Sequence, residues 1–243
     1  MHRVFITLLG VCFALSNGQM QLFAKPKHHR TDMLQLASDL PVLTLKEFKK
    51  LKRQADVQIL DTRSGDGFLK AFVPKSINIG FNGPFDRFLT QVFPDRAQRF
   101  LLITDLENKE TVYAHLLKLG YINILGVLEG GIENWKNSEV VDSLCNIRAG
   151  EFKKRSDQGH IVDVRTDQEF DQGHIDNAMN IPLTDFANFG STLKKDNKQV
   201  YVHCQSGYRS AVAVSILSAK GFKHICNIQG GYKALQEEVK ENQ

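Results

Sequence analysis

Residues 202–210 read Val202-His203-Cys204-Gln205-Ser206-Gly207-Tyr208-Arg209-Ser210. A β-branched and aromatic run at 200–202 precedes the cysteine, and an apolar helical pattern at 211–217 follows the arginine. This order predicts a strand, a tight loop and a helix, with Cys204 at the strand end facing the helix N-terminus. Backbone N–H groups at a helix N-terminus attract anions, so a thiol held there is expected to ionise into its reactive thiolate form.

The residues after the cysteine favour a reactive site. Gly207 lets the loop curl without a Cβ clash, and Arg209 supplies a permanent cation whose planar fork suits oxyanions. The alternative is a buried, inert cysteine at the end of a core strand. That alternative does not explain a glycine three residues and an arginine five residues after the cysteine. The pattern therefore indicates a nucleophilic cysteine that faces an anionic substrate.

An internal repeat divides the chain. Residues 59–63 (ILDTR) return as 161–165 (IVDVR), and residues 127–132 (VLEGGI) return as 227–232 (NIQGGY). A spacing this long, with the order of the segments kept, indicates two copies of one domain. Each copy alternates short β-branched runs with helical patterns, so we expect α/β domains, each a mainly parallel sheet with helices on both faces.

The elements of the second copy are predicted from the same patterns. Strands are expected near 160–164, 178–181, 199–203 and 224–228, and helices near 149–155, 166–172, 207–219 and 231–239. Cys204 then lies at the C-terminal edge of the sheet, which is where open α/β folds bind ligands.

The spacing Cys204-x-x-Gly207-x-Arg209 resembles the active-site loop of the rhodanese (sulfurtransferase) family. The likeness covers about 41–140 and 147–240, which implies two tandem rhodanese-like domains. Other segments of the second copy also match the family: Asp163-Val164-Arg165, Glu169-Phe170, Gly173-His174-Ile175, Ala178 and Asn180-Ile181-Pro182.

The resemblance implies that four matched residues frame the fold and brace the loop: Asp163, Arg165, Glu169 and His174. A general base is the alternative role for His174, but a thiolate of lowered pKa needs no separate base. His203 precedes the nucleophile on a strand, so its side chain is expected on the opposite face of the sheet, where it packs.

The first copy departs from the family pattern at the loop. Its segment 101–105 is aligned with 200–204, which sets Asp105 opposite Cys204, and the loop 105–109 looks shortened. Residues 41–140 contain no cysteine at all, and Asp105 and Glu107 would repel a sulfur oxyanion. The first copy is therefore expected to be catalytically inactive, and to support the second copy or shape its cleft.

The resemblance implies a sulfurtransferase whose Cys204 takes sulfur from thiosulfate or a low-molecular-weight persulfide and passes it to cyanide or a thiol. Loop N–H groups between Gln205 and Arg209 would hold the persulfide. Gln205, Ser206 and Tyr208 would shape the mouth of the site, and Arg209 would orient the anionic donor or buttress the loop. No metal and no organic cofactor are expected.

Two other functions stay open. The first is a cysteine phosphatase or arsenate reductase that uses the same thiolate. The related cysteine phosphatases have one more residue in this loop, so the smaller loop of this chain fits sulfur transfer better. A non-catalytic sulfur carrier or interaction module, with a protein partner in sulfur metabolism, is the alternative outside enzymes.

Residues 1–18 have the layout of a signal peptide: a basic start, an apolar run from Val4 to Leu15 and small residues after it. We expect export, to the periplasm, or a cytoplasmic protein if this segment is not a signal. Residues 19–40 look like a linker, whose adjacent His28 and His29 lack partner ligands at metal-binding spacing. The expected domains are 41–140 and 147–243.

Composition and cysteine count limit the remaining classes of protein and of disulfide pattern. The chain has 243 residues with 42% hydrophobic and 24% charged residues and a net charge of +4, which is ordinary for a globular protein and does not imply nucleic acid. No segment after the leader predicts stable membrane insertion. Cys145 is assigned to the inter-domain linker, and Cys226, for which burial as a free thiol is favoured, to an apolar strand. After removal of the expected signal peptide, which contains Cys12, these two and Cys204 leave an odd number of cysteines, so no disulfide framework is implied. A Cys145–Cys226 bridge and a relay role for Cys145 remain alternatives.

Overall fold

The computed structural model describes residues 5–8, 11–16, 19–23, 39–155, 159–188, 193 and 196–240, in two compact units, Met1–Asp39 and Leu40–Gln243. In the first unit, β1 (Phe5–Leu8), β2 (Val11–Ser16) and β3 (Gln19–Phe23) form an antiparallel sheet in the order β1-β2-β3. The signal-peptide and linker assignments stay predictions, and His28 and His29 lie outside the described residues.

The second unit begins with the first repeat, a five-stranded sheet in the order β4-β8-β7-β5-β6 with all its pairs parallel. Its strands are β4 (Val42–Leu43), β5 (Val57–Asp61), β6 (Ile77–Asn78), β7 (Arg99–Ile103) and β8 (Ile124–Leu128). Its helices are α1 (Leu45–Lys52), α2 (Gly65–Lys70), α3 (Phe85–Val92), α4 (Lys109–Lys118) and α5 (Gly131–Lys136), with a 3-10 turn at Leu106–Asn108.

The second repeat has the same topology, with the parallel order β11-β10-β12-β13-β9. Its strands are β9 (Cys145–Ile147), β10 (Gly159–Asp163), β11 (Ala178–Asn180), β12 (Gln199–His203) and β13 (Ile225–Ile228). Its helices are α6 (Ala149–Lys153), α7 (Asp167–Asp171), α8 (Tyr208–Ala219) and α9 (Gly231–Lys240), with a 3-10 turn at Leu183–Asn188. The predicted fold class of two parallel-sheet α/β domains is confirmed.

The strand prediction was wrong at one edge of the second sheet. Cys145, which we assigned to a linker, is the first residue of β9 and lies opposite Cys226 of β13. A three-residue edge strand is too short to show an alternating pattern in the sequence, so periodicity could not reveal it. The other strands and helices of this repeat lie within about two residues of their expected bounds, the usual uncertainty of element ends.

Helix α8 joins the two repeats into one packed body. All of its residues from Ser210 to Leu217 are buried, because its own sheet covers one side while β6 and α2 of the first repeat cover another. The Asn78 N–H at the edge of the first sheet donates to Ser215 Oγ at 2.9 Å. Gly65 permits the close approach of Ala211, since a Cβ at position 65 would lie 2.7 Å from that methyl group. One hydrophobic core therefore runs through both repeats.

Among the described residues, none of the helices combines the length and apolar character that a membrane crossing requires.

Candidate active site

Cys204 lies where the sequence predicted it, between the end of β12 and the start of α8. Its thiol is free and buried, and the Gly207 N–H donates to Sγ at 3.1 Å. Gly207 has a φ of 110°, a conformation that L side chains rarely adopt, and it directly precedes the first residue of α8. The loop thus aims a backbone dipole at the sulfur, which is an arrangement that stabilises negative charge there.

A second helix N-terminus holds the same loop from behind. The Tyr232 N–H donates to the Cys204 carbonyl at 2.7 Å, and the Lys233 N–H donates to the Gln205 carbonyl at 3.1 Å. Gly231 has a φ of 62°, and a Cβ there would lie 2.3 Å from the Cys204 carbonyl oxygen. In the sequence, the Gly230-Gly231 pair served only to align the two repeats. Its role in holding the loop of Cys204 was not predicted, although two adjacent glycines before a helix were a usable signal.

Arg209 is held by Glu169 in a two-pronged ion pair. Its Nη1 and Nη2 donate to Oε2 and Oε1 of Glu169 at 2.5 and 2.7 Å. Glu169 is in turn fixed in the first turn of α7, because its Oε2 accepts from the backbone N–H and hydroxyl of Thr166 in a capping box. The hydrogen bonds from Arg209 lower the pKa of Glu169 to about 2, and Glu169 raises the pKa of Arg209. The geometry accounts for a bracing role of Arg209, and orientation of a donor stays a prediction.

Asp163 and Arg165 form a buried ion pair under the loop. Arg165 Nε and Nη2 donate to the Asp163 carboxylate, and Nη2 also donates to the Gly173 carbonyl at 2.7 Å. Arg165 Nη1 reaches Gln205 Oε1 at 3.4 Å, and its guanidinium lies 3.9 Å from the centre of the Tyr232 ring. This cation therefore contacts both the loop that follows Cys204 and the helix behind it.

The same ion pair recurs in the first repeat. Arg63 binds the Asp61 carboxylate in the same way, and its Nη2 donates to the Ala71 carbonyl at 2.9 Å. A pair that is present in both copies, only one of which carries a cysteine, serves the common scaffold.

The two histidines near the loop differ in exposure. His174 is exposed, its Nδ1 lies 3.0 Å from the Phe170 carbonyl oxygen, and its ring stacks on the Phe170 ring with centroids 3.8 Å apart. His203 is fully buried, with Nε2 3.8 Å from Asp163 Oδ2, and burial lowers its pKa. Both arrangements suit packing and bracing.

The loop side chains point in different directions. Ser206 is exposed and Gln205 is half-buried, as expected at the mouth of a site. Tyr208 instead extends to the first repeat, where its hydroxyl donates to the Gly80 carbonyl at 2.7 Å. A direct contact of any of the three with substrate stays a prediction.

Comparison with known proteins gives the family. The Rhodanese-like domain model matches residues 44–138 and 148–238. The chain belongs to the rhodanese-like domain family. It is 36% identical over 90 residues to the uncharacterized protein YqhL of Bacillus subtilis, covering 37% of this chain and 71% of that protein. It is 38% identical over 77 residues to thiosulfate sulfurtransferase PspE of Escherichia coli, covering 31% of this chain and 73% of that protein. Among solved structures, a rhodanese-related protein of Thermoplasma volcanium is 33% identical with a TM-score of 0.37, covering 39% of this chain and 92% of that one.

The first rhodanese repeat carries a threonine at the position that Cys204 occupies in the second repeat. Thr62 N–H donates to the Ile103 carbonyl, as Val164 N–H donates to the His203 carbonyl in the second repeat. Ile103 and His203, the last residues of β7 and β12, therefore occupy equivalent positions. The residues that follow them, Thr104 and Cys204, are equivalent as well. Our alignment of Asp105 with Cys204 was wrong by one residue, because the apolar run of β7 contains no feature that fixes its register.

The cysteine interpretation also needs a correction. Cys145 and Cys226 form a disulfide between the neighbouring strands β9 and β13, with Cα atoms 4.4 Å apart. We had favoured a free, buried Cys226 and left the bridge as an alternative. The two residues are directly opposite in a parallel pair, which the sequence could not show without the short strand β9. In this disulfide form Cys145 has no free thiol to act as a relay.

Within the part of the chain that the structure describes, no group of three or more His, Cys, Asp or Glu side chains is placed to hold a metal ion.

Proposed function

We propose that this rhodanese is a sulfurtransferase that moves sulfane sulfur from thiosulfate or a persulfide donor to a thiophilic acceptor. The observation that carries the proposal is the Gly207 N–H directed at Cys204 Sγ at 3.1 Å, at the N-terminus of a buried helix. A donor of this kind stabilises a thiolate before reaction and a persulfide after it.

The reaction takes place in two steps with Cys204 as the carrier. The Cys204 thiolate attacks the outer sulfur of thiosulfate, the sulfur–sulfur bond of the donor breaks, and sulfite leaves with the bonding electron pair. Cyanide, or the thiolate of an acceptor, then attacks the outer sulfur of the Cys204 persulfide, and the Cys204 thiolate is released. No proton has to be stored on the enzyme when all reacting groups are anions. The thiosulfate sulfurtransferase name of the relative PspE supports this assignment.

The loop favours sulfur transfer over phosphate ester hydrolysis. A persulfide is compact, and the N–H of Gly207 already lies at hydrogen-bond distance from the sulfur that would carry it. A tetrahedral oxyanion needs a wider ring of donors, and Arg209 is already engaged by Glu169. A non-catalytic sulfur carrier would use the same Cys204 chemistry with a protein acceptor, and differs only in its lack of turnover.

Two assays on the full chain test the proposal. Wild-type protein is expected to turn over thiosulfate with cyanide, and to hydrolyse phosphate monoesters far more slowly or not at all. Cys204→Ser is expected to lose sulfur transfer by at least about 1000-fold while keeping its melting temperature, because serine is isosteric but a poor nucleophile. Efficient phosphatase activity, or transfer retained by Cys204→Ser, would overturn the assignment.

Export of the protein is a separate part of the proposal. The basic–apolar–small order of residues 1–18 motivates it, and the Cys145–Cys226 disulfide supports it because disulfides persist in oxidising compartments. The mature protein is expected to start between about Asn17 and Met20. N-terminal sequencing of protein from its native source checks this, and a chain that begins at Met1 in the cytoplasm would contradict it.

A further inference from the structure

The catalytic loop is attached to the first repeat through Tyr208. The Tyr208 hydroxyl donates to the Gly80 carbonyl at 2.7 Å, and burial raises the pKa of Tyr208 further above its ordinary, already alkaline value. The ring lies against Gly83, where a Cβ would come within 2.2 Å of it, and its centroid is 5.5 Å from that of Phe88. Gly80 and Gly83 thus form a turn of the first repeat that accommodates a side chain of the second.

Tyr208 occupies the middle of three consecutive residues with different anchors. Gly207 donates its N–H to Cys204 Sγ, Tyr208 binds the first repeat, and Arg209 binds Glu169 of the second repeat. Gly207 therefore lies between two anchors: its own N–H donates to the sulfur, and the next residue, Tyr208, is held by the Gly80–Gly83 turn. Preorganised donors work only when they are held within a few tenths of an ångström of the productive position.

We propose that Tyr208 is a positioning residue through which the first repeat, which lacks the nucleophile, holds the Gly207 N–H on the sulfur of Cys204. The inference rests on the proposed sulfur transfer, and it assigns the first repeat a task in that reaction. Because the proposed effect acts on the Gly207 N–H, loss of the contact is expected to change the rate of transfer more than the concentration of thiosulfate needed for half-saturation.

Two variants break the contact from opposite sides. Tyr208→Phe removes one neutral hydrogen bond and keeps the ring, so kcat is expected to fall about 3- to 10-fold with KM for thiosulfate little changed. Gly83→Ala places a methyl group in the space of the ring and displaces it, so kcat is expected to fall by about 10-fold or more. Both are measured by steady-state kinetics on folded full-length protein, with circular dichroism and the melting temperature as checks.

A matched control separates positioning from stability. Tyr121 is a buried tyrosine of the first repeat, and its hydroxyl donates to backbone carbonyls of Leu89 and Phe93. The same hydroxyl accepts from Arg96 and the ring lies against Phe100, so these partners all belong to the first repeat. Tyr121→Phe is expected to lower the melting temperature at least as much as Tyr208→Phe while leaving kcat unchanged.

The dependence of the Gly83→Ala effect on the Tyr208 ring gives the sharpest test. In a Tyr208→Ala background the ring is gone, so a further Gly83→Ala change is expected to leave kcat where it is. The proposal is overturned if Gly83→Ala lowers kcat equally in both backgrounds, or if Tyr208→Phe and Tyr121→Phe change kcat alike. Failure of this positioning role is distinguishable from failure of the proposed function. If only the positioning role is wrong, Cys204→Ser still abolishes transfer; if the proposed function is wrong, it does not.

Discussion

The loop after β12 and the loop after β7 are built on the same scaffold, and only the first of them carries a cysteine. Both follow a central parallel strand, both lie above a buried Asp–Arg pair, and both are backed by a Gly-Gly helix start. Thr104 stands where the second repeat has Cys204, and Gly67 stands where it has Glu169, the partner of Arg209. The difference shows that the scaffold residues alone do not make the site. The thiol and the Glu169–Arg209 brace are what the second repeat adds.

The first prediction tests whether a thiol alone can restore the first repeat. Thr104→Cys in a Cys204→Ser background is expected to stay at least about 1000-fold below wild type in thiosulfate:cyanide transfer. Gly67 offers no carboxylate to brace the loop, and residues 105–109 contain no arginine and no glycine. The steady-state assay measures this, and appreciable transfer by the double variant would mean that the scaffold shared by both repeats is sufficient.

The second prediction changes the size of the active loop. A glycine inserted after Gly207 moves the N–H that donates to Sγ, and loss of one such donor costs about 3 kcal/mol of transition-state stabilisation. Transfer is therefore expected to fall about 100-fold. As a control, a glycine inserted after Glu107 in the corresponding loop is expected to leave transfer unchanged. Equal losses from both insertions would mean that the damage comes from unfolding.

The third prediction concerns the disulfide, which has no counterpart in the first repeat. Cys145→Ser is expected to lower the free energy of unfolding by about 2–5 kcal/mol, because the bridge closes a long loop, with a sequence separation of 81. Transfer by the folded protein should be retained. Urea unfolding with and without a reductant measures the effect, which reduction should reproduce in wild type. A loss of transfer in Cys145→Ser under conditions where the protein is folded would instead indicate a relay thiol.

The fourth and smallest effect is the acid dependence of the brace. Glu169 has a folded-state pKa of about 2 against its ordinary value of 4.5, so the unfolded chain takes up a proton first as pH falls. Its stabilising contribution is thus complete above about pH 4.5 and is lost toward pH 2, and it is modest because the carboxylate is partly solvated. Glu169→Gln is expected to flatten the fall in stability over this range, as measured by urea unfolding at a series of pH values. An unchanged slope would show that the ion pair does not stabilise the fold.

The sequence was sufficient for the features that rest on a clear local pattern or a repeated segment. The strand–loop–helix around Cys204, the two parallel-sheet repeats and the missing cysteine of the first repeat all follow from periodicity, spacing and residue type. These features need only neighbouring residues or a repeated segment to be recognised.

The features that the sequence did not predict depend on contacts between distant segments. The register of β7 was ambiguous because its apolar residues suit a central strand in more than one alignment. Predicting the Cys145–Cys226 bridge required knowing that β9 pairs with β13. The three residues of β9 are too few for a strand to be recognised in the sequence. Tyr208 was predicted to shape the mouth of the site. Nothing in the loop sequence shows that its side chain instead contacts the Gly80–Gly83 turn, since Gly80 precedes it by 128 residues.

The proposed role of Cys204 as carrier of the transferred sulfur is best tested by the intact mass of the full chain after incubation with thiosulfate. We expect wild type to gain the mass of one sulfur atom, peptide mapping to locate it on the peptide containing Cys204, and cyanide to remove it. Cys204→Ser should gain nothing under the same conditions. No added sulfur in wild type, or an added sulfur that persists in Cys204→Ser, would refute this role.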